Sequence, residues 1–186
     1  MQARLTARRA AVEASADAQR QLHALVITAP EVVRARFRGQ STRAMLTTAT
    51  RLRPTTNADV DVFTTLTVLR DLARRVRFLE AEATAHEKAI RTIVRSWRPD
   101  LLDLTGVGPI VAATVLTAWS HPGRCRNDAA FAMLAGTAPI PATRAYADRR
   151  RAQGKTDRKI KRCLKRYVAR DLYRRLENPP QPLDAA

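Results

Sequence analysis

Leu104-Thr105-Gly106-Val107-Gly108-Pro109-Ile110 is the stretch whose residue types and spacing bear most directly on chemistry. Two glycines around one apolar residue, between a short apolar segment and a helix start, permit backbone angles that side chains forbid and predict a tight hairpin. Pro109 suits the first turn of a helix continuing through Val111, Val115, Leu116 and Trp119. Backbone N–H groups at Gly108 and Ile110 then face out of a helix N-terminus, where a phosphate oxygen binds. The expected unit is a helix-hairpin-helix that grips nucleic-acid backbone without reading bases, with Gly106, Gly108 and Ile110 as its contacts. A helix-to-helix turn that binds nothing has the same spacing.

Other chemistry is poorly supported. A nuclease or polymerase site needs several carboxylates converging on Mg²⁺, whereas the 17 acidic residues are scattered along expected helices. His23, His86 and His121 lack paired spacing with cysteine or carboxylate, and Cys125 and Cys163 are too few for a zinc site. Cys163 falls on a basic helix but has no acid or base partner in view. No catalytic residue, metal ligand set or cofactor motif is assigned.

Charge points toward the partner. The 34 Lys and Arg against 17 Asp and Glu give a net charge of +17, and so large a basic excess favours a polyanion, with DNA the first candidate. Residues 1–58 carry +7, 59–99 carry +2, 100–142 carry −1 and 143–186 carry +9. The hairpin itself is therefore not basic. Its phosphate contact would use backbone dipoles, while the ends of the chain supply counter-charge, foremost Lys161, Arg162, Lys165 and Arg166. Arg34, Arg36, Arg38, Arg43, Arg51 and Arg53 form a second cluster, which reads equally as a solvated face or a nucleic-acid contact. No apolar run approaches transmembrane length and the N-terminus is polar, so a cytoplasmic protein with no membrane partner is expected.

The elements that must position these groups are helical: aromatics at 5% and six glycines argue against a sandwich or barrel. Five segments are expected: a basic helical linker at 1–56, a coiled-coil helix at 57–98, the hairpin domain at 99–142, basic helices at 143–177 and a disordered tail at 178–186. The first helix runs from Ala3 to about Thr28, with Leu5, Val12, Leu22, Leu25 and Val26 on one side. Pro30 opens a short helix ending near Gly39, and Ser41 caps a third that stops before Pro54. Between Asn57 and Trp97, Val62, Leu69, Val76, Ala83, Ile90 and Trp97 recur every seven residues. A stripe about 60 Å long at 1.5 Å per residue needs cover. Either the N-terminal helix folds back on it or a second chain supplies it; both together give a coiled-coil dimer through Val62, Leu69, Val76 and Ile90, and an intramolecular hairpin is the monomeric alternative. Further on, Asn127-Asp128 caps a helix through Phe131 and Leu134, and Ile160, Leu164, Tyr167, Val168, Leu172 and Leu176 stripe the last helix.

Three ordered motifs carry a family resemblance: Leu101 to Ile110, Trp119-Ser120-His121-Pro122-Gly123-Arg124, and Ala130 to Ala142. They resemble the C-terminal domain of bacterial transposases of the insertion sequence one-ten family. Thr143-Arg144-Ala145-Tyr146 and the segment from Gly154 to Leu176 are similar to that family's closing segment, and the arginine-rich start with the long helix is similar to its linker and coiled coil. The resemblance implies a recombinase with an upstream RuvC-like domain bearing a DEDD carboxylate set, a dimerising coiled coil, a C-terminal serine nucleophile and a structured bridge RNA as guide. The chain departs from it twice. Met1 falls within the linker-like region, and Ala142 joins Thr143 directly where the family continues into a serine-containing stretch; no serine follows Ser120.

The expectation is thus an all-α transposase-family fragment, truncated and internally deleted, that binds DNA; binding of a guide RNA is implied only by the resemblance. It would pair with itself or with an intact transposase and lack catalytic competence alone. The alternatives are a free-standing helix-hairpin-helix module, or modulator of an intact transposase, and an enzyme using a substituted nucleophile such as Thr143.

Overall fold

The computed structural model describes residues 1–55, 59–104, 106–135, 149, 151–154, 156 and 168–178. The chain is all-helical, with no strand among the described residues. In order come α1 (Gln2–Thr28), α2 (Glu31–Arg34), α3 (Thr42–Thr50), α4 (Val60–Trp97), α5 (Pro109–Trp119), α6 (Asp128–Ala135) and α7, residues 168–177. Short 3-10 turns follow α2 at Ala35–Phe37 and α4 at Pro99–Leu101. The helices divide between two compact units, one of Thr6–His86 and one of Met1–Leu5 with Glu87–Ala186. None of the described helices is long and apolar enough to cross a membrane.

In the Thr6–His86 unit, local signals set the helix ends. Ser41 Oγ accepts from the Ala44 N–H at 3.4 Å, capping α3 as expected, and Gly39 takes a φ of +71° that a side chain resists. The core joins Ala18, Leu22 and Val26 of α1, Val33 and Phe37, Met45, Leu46 and Ala49 of α3, and Leu66, Leu69, Ala73 and Val76 of α4. The N-terminal helix therefore does cover the long helix. It does so through a narrow stripe of Ala11, Ser15, Ala18, Leu22 and Val26. Val12, expected on that stripe, is instead 44% exposed. Three of these five are small residues at three- and four-residue spacing, a pattern that a search for large apolar side chains overlooks.

The heptad positions differ in what surrounds them. Leu69 and Val76 are fully buried, with Val62 packed against the same core, all among this chain's own side chains. Ile90 is fully buried in the other unit's core. Trp97, the last expected seam position, is 51% exposed.

The Met1–Leu5 and Glu87–Ala186 unit is built around α5, buried on nearly every side: Pro109, Ala112, Ala113, Val115, Leu116 and Trp119 are all buried. A helix apolar all round belongs in the middle of its neighbours. Around it pack Ile90 and Val94, Leu101, Val107, Phe131 of α6, and Val168, Ala169, Leu172 and Leu176 of α7. Asn127 Oδ1 accepts from the Ala130 N–H at 2.9 Å, so the expected cap of α6 is formed. Met133 and Leu134 on α6 are exposed.

Candidate nucleic-acid interface

The 3-10 turn at Pro99–Leu101 leads the chain off α4, and the Val107 N–H closes the hairpin onto the Leu104 carbonyl at 3.0 Å. Val107 is buried and acts as the plug that ties the turn to the core. The two glycines beside it differ. Gly106 has φ +85°, a left-handed conformation that favours glycine. Gly108 has φ −78° and ψ 173°, extended backbone open to any residue, and a Cβ built there meets no heavy atom within 4 Å. The expectation that both glycines hold angles a side chain forbids is thus corrected: of the two, only Gly106 is required by backbone geometry.

Gly108 is the N-cap of α5, Pro109 its first residue, and no side chain caps this N-terminus. Gly106 and Gly108 lie at the surface, while Ile110 packs in part against the core, so its backbone and not its side chain is what the hairpin can offer. A backbone amide row at a helix N-terminus carries partial positive charge and suits a phosphate oxygen. Lys161, Arg162, Lys165 and Arg166 lie outside the described residues, as do Thr105, Thr143 and Cys163.

The hairpin is fastened to α7 by polar contacts that sequence reasoning missed. Arg98 is only 8% exposed; its guanidinium donates from Nε and Nη2 to the two Asp100 carboxylate oxygens at 2.8 Å each, and from Nη2 to the Arg175 carbonyl at 3.0 Å. One side chain thereby orders the turn before the hairpin and satisfies a last-turn carbonyl of α7. Trp119 Nε1 donates to Glu177 Oε1 at 2.8 Å, and the Tyr173 hydroxyl donates to the Cys125 carbonyl at 2.8 Å. Arg170 and Asp128 pair at 2.6 Å between α7 and α6. No local pattern in the sequence signals partners 77, 58 or 48 positions apart.

The Arg98 hydrogen bonds, foremost, hold the Asp100 carboxyl below its ordinary value, against the opposing effect of burial. A carboxylate lowered by folding stabilises the native state above its unfolded pKa, about 4, and that contribution is lost as pH falls through the lowered native value. Arg98→Met is accordingly expected to cost about 2 kcal/mol at pH 7 by leaving Asp100 and a carbonyl without their charged partner. The gap in melting temperature between wild type and variant should narrow on acidification below about pH 4. Glu31 and Asp128, lowered in the same direction by their arginines, cancel in that comparison because both chains keep them. Thermal melts followed by circular dichroism between pH 7 and 2.5 measure both.

Among the described residues no group of three or more His, Cys, Asp or Glu could hold a metal ion. His86 Nε2 lies 3.8 Å from Glu82 Oε1 one helical turn away, and His121 Nδ1 contacts the Pro122 carbonyl at 2.9 Å. Cys125 is buried and unpaired with another cysteine.

No curated protein and no solved structure matches the chain. Residues 99–179 match the family model described as the transposase IS116/IS110/IS902 family. That segment begins at the 3-10 turn, contains the hairpin, α5, α6 and α7, and makes up less than half of the chain; it supports a member of this transposase family.

Proposed function

We propose that the chain is the nucleic-acid-binding part of a transposase and acts in DNA transposition by holding DNA, not by cutting it. The observation that carries this reading is Gly108. A glycine that the fold does not need stands at an uncapped helix N-terminus, inside the segment similar to the transposase family. Its missing side chain leaves the amides at 108 and 110 open to a phosphate oxygen. The +9 of residues 143–186 supplies long-range attraction, since the hairpin stretch is itself slightly acidic. Pairing with another transposase copy, and contact with a guide RNA, belong to this proposal as further partners.

The test is a pair of glycine variants. Gly108→Val should keep its helical content, since the backbone there suits a side chain and a residue before proline favours extended angles. Duplex DNA affinity should nonetheless drop about tenfold, the worth of one charge-assisted hydrogen bond, with little change in salt slope. Gly106→Val should instead lower the melting temperature, because φ +85° strains any branched residue. Fluorescence anisotropy with a labelled duplex and circular dichroism read the two effects. A folded Gly108→Val variant that binds like wild type makes the hairpin a structural connector.

A further inference from the structure

Phe78 is the exposed aromatic residue among the large apolar side chains that the Thr6–His86 unit leaves uncovered. It is 69% exposed on α4, opposite the buried line of Leu69, Ala73 and Val76. On a helix its neighbours are Arg74 and Arg75, four and three positions earlier, and Ala81 and Glu82, three and four later, Glu82 lying 3.8 Å from His86; Arg77 and Arg70 continue the basic side of this face. Arg70 pairs with Asp71 at 3.3 Å, whereas no described carboxylate pairs with Arg74, Arg75 or Arg77. Arg77 Nη2 donates to Thr47 Oγ1 at 3.1 Å, which joins this face of α4 to α3. There a shallow, open depression on α3 is lined by Gln40, Ser41, Arg43, Thr47 and Thr48, and Arg43 also has no carboxylate partner among the described residues. Cationic and hydroxyl donors thus run from α3 across Arg77 and Arg74 to an exposed aromatic ring.

Each part of that surface suits a different part of one ligand. Guanidinium groups and threonine hydroxyls bind phosphate oxygens. A phenyl ring forms no hydrogen bond but stacks well on a base, and only an unpaired base can leave its own stack to meet it. A second copy of the same face is disfavoured, since it would set unpaired arginines against arginines. We propose that this surface binds single-stranded nucleic acid, with a base stacked on Phe78 and backbone phosphates held by Arg43, Arg74 and Arg77. The site lies outside residues 99–179 and is independent of the hairpin reading.

The experiment uses the full chain with labelled twenty-nucleotide oligo-dT, oligo-U and a duplex of equal length. Phe78→Ala should weaken both single strands by about 5- to 100-fold and leave the duplex within about twofold. Phe78→Trp should restore the loss. Arg74→Gln with Arg77→Gln should flatten the single-strand salt slope by up to about 1.4, at about 0.7 per phosphate. Equal affinity for the two strands assigns the shared chemistry, and a preference for oligo-U or oligo-dT assigns the ligand to RNA or DNA. The proposal is overturned by wild type failing to bind single strands, by Phe78→Ala binding them normally, by equal loss on duplex, or by a wild-type oligomer that Phe78→Ala dissociates. A Gly108→Val chain that loses duplex but keeps single-strand binding separates this site from the hairpin.

Discussion

Leu69→Lys combined with Val76→Lys is expected to unfold the Thr6–His86 unit. Both side chains have no exposure and meet α1 and α3 in one core with Leu22, Met45 and Leu46. An ammonium at either position loses its water without gaining a carboxylate, and the core loses a large apolar side chain. Each change alone should cost more than about 3 kcal/mol, and together they approach the whole stability of an ordinary domain, about 5–15 kcal/mol. Circular dichroism should show lost helix and a lost or lowered melting transition. Sedimentation of the same sample decides between two roles for the stripe. A folded variant with only a smaller oligomer would assign Leu69 and Val76 to an intermolecular seam.

The sequence made that stripe visible and offered the N-terminal helix or a second copy as its cover, but a period of seven specifies only that one helix face must be buried, not what meets it. Which surface covers it depends on α1, whose contribution is Ala11, Ser15 and Ala18, residues too small to register as an apolar stripe. The caps were legible, since Ser41 and Asn127 act on amides three residues away. Gly106 and Gly108 looked alike for a physical reason: glycine permits unusual angles without demanding them, and only the +85° at Gly106 separates need from permission. Arg98 was unreadable in another sense. Its spacing to Asp100 is local, but the Arg175 carbonyl that makes it a clamp is brought near only by the packing of α7 on the core.

Replacing Lys161, Arg162, Lys165 and Arg166 together with Gln is expected to produce the largest change in DNA binding. If each side chain neutralises one phosphate, the slope of log affinity against log salt should flatten by up to about 3.6, at about 0.9 per phosphate. Between 50 and 200 mM salt, that difference amounts to about a hundredfold in how steeply affinity declines. The loss should be uniform across DNA sequences, because phosphate contacts carry no base information. Anisotropy titrations at four salt concentrations, with two unrelated duplexes, measure slope and sequence dependence together. Gly108→Val tests the other contribution, lowering affinity by an amount nearly constant with salt, because backbone amides add a hydrogen bond without a mobile cation. A quadruple variant whose slope equals that of wild type would place the phosphate contacts elsewhere, with Arg43, Arg74 and Arg77 the next residues to substitute.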